Sequence, residues 1–239
     1  MEYDMEKLNV IILAGGKGTR IKAVLGETPK IMGLIEGIPF IEYLERWVES
    51  SLAYVDKRVI IATGVGHQYI DNYHKINGKS WLIVKEEKPL GTLGAASNCI
   101  KKINGGENDC LVINGDTLFE GNLKEAYSMY KENREVPLLV VRKAERNDRY
   151  GGYSVEKGYI KVKEGITDYI SMGAVFTKGQ ALVDCDKQAM NKVIRMMDDD
   201  FVKAQVSRAF ILEKDSDFID IGVPESFKVA QSFIPQNFN

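Results

Sequence analysis

The chain has 239 residues, 44% hydrophobic and 28% charged, a size that fits one domain with a full core and a composition that excludes disorder, collagen-like repetition and coiled coil. Lys and Arg number 32 against 34 Asp and Glu, a formal charge of -2, so no global positive field is available to hold nucleic acid. Any small anion must therefore be gripped locally.

In chain order, Asn9 to Leu13 reads as a buried strand, Pro39 to Leu52 as an amphipathic helix and Arg58 to Ala62 as a second strand. Gly66 to Tyr73 is predicted helical, and Asn77-Gly78 a turn into the strand Trp81 to Val84. Thr92 to Ile103 carries Leu93, Ala96, Ile100 and Ile103 on one helical face and precedes the strand Cys110 to Ile113. Strands separated by helices of this length imply parallel pairing in a doubly wound sheet. After a helix at Leu123 to Glu132 the rhythm changes to strands in quick succession: Leu138 to Arg142, Gly152 to Val155, Tyr159 to Lys163 and Tyr169 to Phe176. The tight Glu156-Lys157-Gly158 turn marks a hairpin. Helices at Lys178 to Asp184 and Lys192 to Phe201, a last pair of strands at Ala209 to Leu212 and Phe218 to Ile221, and a closing helix started by Pro224 complete the prediction. No linker or internal repeat interrupts the chain, so residues 1–239 are expected to form one domain of two halves sharing a sheet.

Cys99, Cys110 and Cys185 lack the spacing of a zinc site or a disulfide framework. Val10 to Ala14 and Pro137 to Val141, the longest apolar runs, fall well short of the roughly 20 residues of a membrane span. The start MEYDMEKLN is too acidic for a secretory signal, so a cytoplasmic protein without membrane attachment is expected.

The stretch Leu13-Ala14-Gly15-Gly16-Lys17-Gly18-Thr19-Arg20 follows a buried strand and is followed by Thr28-Pro29-Lys30. It is neither a Walker loop, lacking Gly-Lys-Ser/Thr at the required distance, nor a dinucleotide fingerprint, since Ile21 stands where the third glycine is needed. Such a run is compatible with a glycine turn bearing solvated cations. It is equally compatible with main-chain N–H groups approaching a base or phosphate while Arg20 and Lys30 neutralise charge, and its place beyond a parallel strand's carboxyl end favours the latter. Asp116, after an apolar strand and Asn114-Gly115, and Asp220, ending another, would emerge at the same sheet edge. Hard carboxylate donors of that kind suit Mg²⁺, although either aspartate alone could be a turn or helix cap.

Leu13 to Arg20 with Pro29-Lys30 resembles the L-A-G-G-x-G-T-R and P-K-P signature of the sugar-phosphate nucleotidylyltransferases, and the fit extends over essentially the whole chain. The resemblance implies an α/β fold: a doubly wound, mostly parallel, Rossmann-like mixed sheet with helices on both faces, as in nucleotidyltransferases and GT-A-like folds. It implies catalytic roles for Arg20, Lys30 and Asp116. Nucleotide contacts fall on Leu13, Ala14, Gly15, Gly16, Gly18, Thr19, Arg20, Glu87, Pro89, Gly91, Thr92 and Asn114, and Mg²⁺ on Asp116 and Asp220. Sugar-phosphate contacts fall on Gly151, Lys163, Glu164, Ser171 and Gly173. Residues of about 8–120 would form the nucleotide half and about 121–239 the acceptor half.

The segment Glu87 to Ala95 is similar to that of guanylyltransferases, and Pro39 to Glu42, Asp148 to Gly151 and Phe218 to Glu225 are most similar to those acting on heptose 1-phosphates. GTP and a heptose 1-phosphate are thus the expected substrates, with another nucleotide or mannose 1-phosphate as alternatives. A sugar 1-phosphate is largely ionised near neutral pH, the second phosphomonoester pKa being about 6, so its oxygen can attack without a general base. His67 and His74 then serve only as surface residues of a helix. Three positions depart from the pattern: Ile31 for proline, Gly165 for lysine and Ser171 for asparagine. They keep open a nucleotide-binding regulatory homologue without catalysis, while Asp215-Ser216-Asp217 mimics the D-x-D motif of metal-dependent glycosyltransferases. The sequence leaves the oligomeric state open, a homo-oligomer included.

Overall fold

The structure, a computed structural model, describes residues 7–121, 123–143, 152–161, 168–213 and 216–238. Its first half alternates strands β1 (Leu8–Ala14), β2 (Leu34–Ile35), β3 (Ile38–Pro39), β4 (Lys57–Thr63), β5 (Leu82–Lys85), β6 (Asp109–Asn114) and β7 (Thr117–Phe119) with helices α1 (Lys22–Leu25), α2 (Phe40–Ser51), α3 (His67–Asn77) and α4 (Gly91–Ile103). The second half adds α5 (Leu123–Lys131), β8 (Leu138–Lys143), β9 (Gly152–Glu156), β10 (Tyr159–Lys161), β11 (Tyr169–Lys178), α6 (Gly179–Gln188), β12 (Arg208–Leu212), β13 (Phe218–Asp220) and α7 (Pro224–Asn237).

Nine of the strands form one sheet in the order β5-β4-β1-β6-β11-β8-β12-β10-β9. β5, β4, β1 and β6 run parallel, β11 is antiparallel to β6 and β8, and β12 is parallel to β8. The mixed sheet with helices on both faces is the expected class. Alternation along β1 explains the two layers: Leu8, Val10 and Ile12 enter a core with α2, α5 and α7, while Ile11 enters the other with α4 and α6. Because both faces are covered, the strand runs apolar from Val10 to Ala14 rather than alternating, with Asn9 its one polar residue. Pro224 opens α7 at its first position, and Lys157 and Gly158 supply the two positive φ angles, 50° and 80°, of the β9–β10 hairpin.

Two expectations are corrected. Lys192 to Phe201 is not one helix: residues 189–196 form a strap, and only Met197–Val202 winds, as a single π-helical turn. The strap's hydrogen-bonding groups are taken elsewhere, since the Asp200 carboxylate accepts the Met196 N–H at 2.7 Å and pairs with Lys192. The strand at Phe218 does not join β12. It pairs antiparallel with β7, a strand not predicted, and these two lie outside the main sheet. The final residues of the predicted strand Tyr159 to Lys163 lie outside the described residues.

Candidate active site

The loops after β1, β5 and β6 meet beyond the strands' carboxyl ends around a cavity of about 410 Å³. This is where open parallel sheets place ligands. Of the predicted residues, Leu13, Ala14, Gly15, Gly16, Pro89, Gly91, Thr92 and Asn114 line it together with Lys30 and Asp116. Gly18 and Thr19 line an adjoining depression of about 230 Å³ behind the loop, which Gly16 and Lys17 share.

Asp116 receives Lys30 Nζ on Oδ2 and the Thr117 hydroxyl at 3.4 Å on Oδ1. Its approach to Asp220, across 104 positions of sequence, is the work of the β7–β13 ladder: Asp220 pairs with Thr117, and the Ile221 N–H donates to the Asp116 carbonyl at 2.9 Å. Asp220 Oδ1 accepts the Gly222 N–H at 2.9 Å, and a Cβ on Gly222 would fall 3.4 Å from a terminal nitrogen of Arg20. Arg20, exposed on the single turn Thr19–Ile21, thus stands beside Asp220 at the rim rather than in the cavity lining. Among the described residues no three His, Cys, Asp or Glu side chains cluster to hold a metal.

Sequence reasoning singled out Glu87, but Glu87 is exposed and the carboxylate turned into the cavity is that of its neighbour Glu86. A Cβ on Gly15 would lie 2.6 Å from Glu86 Oε1, and one on Gly64 2.7 Å, so the side chain rests on two glycines that leave room for it. The Leu90 N–H donates to its Oε2 at 3.2 Å. Burial raises the Glu86 pKa above the usual carboxylate range, and the Leu90 N–H offsets only part of that. The signal available in sequence was the adjacent pair of glutamates after a strand, which does not say which one faces inward.

Thr92 does not cap α4. Its hydroxyl instead accepts the Met197 N–H at 2.7 Å, fastening the strap, which contributes Ile194 and Met196 to the cavity. Sequence reasoning missed both, because they read as the apolar face of a helix.

Of the residues predicted to meet the acceptor, Gly173 adopts φ +67°, and a Cβ there would stand 2.4 Å from Asn114 Nδ2. Only glycine combines that backbone with so close an approach. Ser171 Oγ accepts the Gly173 N–H at 3.0 Å. Gly173 therefore abuts Asn114, and neither it nor Ser171 lines the cavity. Gly151, Lys163, Glu164 and Gly165 lie outside the described residues, as does Asp215. Asp217 sits at the other end of the β7–β13 ladder from Asp220, its carbonyl accepting the Glu120 N–H.

Neither histidine reaches the cavity: His67 meets Lys85 Nζ at 3.1 Å, and the His74 ring lies 6.2 Å from that of Trp81. Burial pushes the Cys99 and Cys110 thiols up to about 12, so both stay protonated and unreactive. No helix among the described residues is long and apolar enough to cross a membrane.

A glycine loop with Lys30 and Asp116 in the cavity, and Arg20 and Asp220 at its rim, fits the handling of phosphate esters, and the wider likeness agrees. Residues 9–237 match the nucleotidyl transferase family. D-glycero-alpha-D-manno-heptose 1-phosphate guanylyltransferases are similar to the chain: that of Aneurinibacillus thermoaerophilus is 29% identical over 94% of this chain and 97% of its own. That of Campylobacter jejuni is 30% identical over 92% of this chain and 97% of its own. The structure of HddC from Yersinia pseudotuberculosis complexed with GMP-PN superposes with a TM-score of 0.76 at 28% identity, covering 95% of this chain and 99% of that one. The signature loop, the fold and a match spanning almost every residue lead to one conclusion: the chain belongs to the nucleotidyl transferase family.

Proposed function

We propose that the chain is a guanylyltransferase that joins GTP to a sugar 1-phosphate, a heptose 1-phosphate before other acceptors, yielding a GDP-sugar and pyrophosphate. The observation that carries this reading is the convergence of the glycine loop, Lys30, Asp116 and Glu86 on one cavity. The two heptose 1-phosphate guanylyltransferases and the GMP-PN complex support the choice of base and acceptor.

Guanine presents two adjacent donors, N1–H and N2–H, on its pairing edge, and an ionised carboxylate offers acceptors alone. Glu86 is the residue of that chemistry in the cavity. The Gly15 and Gly16 backbone approaches the nucleotide, Lys30 contacts the phosphate undergoing transfer, and Arg20 at the rim holds the departing phosphates.

Asp116 and Asp220 supply hard oxygens from backbone positions that the β7–β13 ladder holds together, and Lys30 already rests as a cation on Asp116, so the pair fits a divalent ion such as Mg²⁺ alongside substrate phosphates. When bound, such an ion neutralises charge developing on the phosphates. The acceptor's phosphate oxygen forms a bond to the α-phosphorus as the bond from that phosphorus to the pyrophosphate oxygen breaks. The rate gain then comes from positioning and charge neutralisation, without a general base. Ser171 and Gly173, with Gly151, Lys163 and Glu164, belong to the acceptor half, residues of about 121–239, and the glycine loop to the nucleotide half of about 8–120.

Incubation with Mg²⁺, each nucleoside triphosphate and a panel of sugar 1-phosphates, following pyrophosphate, tests the reading. Release is expected with GTP; none with any pair would refute it.

A further inference from the structure

The strap at residues 189–196 is tied at its C-terminal end to the start of α4. The Arg195 N–H donates to the Leu90 carbonyl at 2.9 Å, the Leu93 N–H donates to the Arg195 carbonyl at 3.0 Å, and the Met197 N–H reaches Thr92 Oγ1. Arg195 also forms an ion pair with the buried Asp186, which Lys101 and Ser97 share. Gly91, at φ +81°, admits this contact, since a Cβ there would fall 2.3 Å from the Arg195 carbonyl oxygen. The strap is therefore a built part of the cavity.

On this fixed frame Ile194 and Met196 stay 44% and 39% exposed while lining the cavity. Held open to water on the strap side of the cavity, these two apolar side chains present surface for something other than the phosphates to cover. The rest of a nucleoside triphosphate offers one large apolar surface, the face of its base.

We infer that Ile194 and Met196 form the apolar wall against which the base of the nucleotide packs, with Arg195 as the positioning residue that sets the wall over Gly91 and Thr92. The inference rests on the nucleotide reading above and names residues of the binding site outside the signature loops. It also explains why Thr92 is a threonine, whose hydroxyl fastens the strap.

The test compares Ile194→Ala, Met196→Ala and the conservative Met196→Leu. Calorimetry with GTP, inhibition by inorganic tripolyphosphate, and KM against kcat from pyrophosphate release are the readouts. Removing several methyl-sized contacts from a face of the base is expected to weaken GTP binding roughly tenfold per alanine variant. KM should rise with kcat within about twofold, because uniform binding is lost. Tripolyphosphate inhibition should stay unchanged, and Met196→Leu should retain most of the wild-type affinity. GTP binding as tight as wild type in both alanine variants would overturn the wall, as would equal weakening of GTP and tripolyphosphate. Wild-type protein that binds GTP yet releases no pyrophosphate with any acceptor would instead refute the enzymatic reading and leave the calorimetric comparison to decide the wall.

Discussion

Glu86→Gln replaces a carboxylate by an amide of nearly the same shape, and its effects on stability and on activity are expected to differ in kind. The half-buried side chain lies over Gly15 and Gly64 and accepts the Leu90 N–H, contacts an amide oxygen can keep. Burial is what raises its pKa, so removing the charge relieves desolvation, and the melting temperature should hold or rise slightly. Toward guanine, one acceptor becomes a donor facing a donor. With hydrogen bonds to charged groups worth about 1.5–3 kcal/mol, a loss of about 2–3 kcal/mol is expected, roughly 30- to 150-fold in kcat/KM for GTP.

The pH profile carries a second signature. Protonation turns the wild-type carboxyl from acceptor to donor, so kcat/KM for GTP should fall as pH drops through its raised pKa, and the glutamine variant should lose that limb. Initial rates of pyrophosphate release across pH, with thermal melts alongside, measure both. A variant whose kcat/KM for GTP stays within about threefold of wild type would refute the base-reading role. So would a fall in melting temperature above roughly 6 °C, which would mark a structural role instead.

Asp116→Asn and Asp220→Asn should each lower turnover by at least about 100-fold while the protein stays folded; near-normal turnover with a normal circular dichroism spectrum would rule out the ion-holding role. Gly173→Ala forces a side chain onto φ +67° and into Asn114, so the protein should lose about 2 kcal/mol, or roughly 4–8 °C in melting temperature, with an unchanged melt contradicting the packing described. Asp186 is buried, which alone would raise its pKa, but bonds from Lys101, Arg195 and Ser97 outweigh this and hold it below the ordinary range. A carboxylate depressed in the folded state contributes stability that is present above its unfolded pKa of about 3.9 and lost as pH falls toward the folded value. Acid melts of wild type should therefore steepen below about pH 4, and Asp186→Asn should show a shallower dependence there.

Much of the molecule was legible because its signals are local. A run of apolar residues, an i, i+3, i+4 stripe such as Leu93, Ala96 and Ile100, or a proline at a first turn reports on a dozen neighbouring residues. The Lys192 to Phe201 segment misled for the same reason: its periodicity is helical, yet the start of α4 claims the Met197 N–H through Thr92, and a local pattern cannot register a partner about 100 residues away. The Glu86 and Glu87 pair was undecidable in sequence because a one-residue change of register reverses which side chain faces inward. The Glu86 N–H bonded to the Thr63 carbonyl at 2.8 Å fixes that register.

By itself the sequence determined the fold class, the family, the glycine loop and the charged residues Lys30 and Asp116 that the cavity gathers, since each depends on residue type and short spacing. Only the tertiary structure decided which of these residues share a cavity. The β7–β13 ladder that sets Asp220 near Asp116, the glycines that leave room for Glu86 to face inward, and the strap that brings Ile194 and Met196 to the cavity are all pairings between distant segments. Such pairings form because backbone hydrogen bonds and buried charges must find partners wherever the chain supplies them, a requirement satisfied in space and not along the sequence.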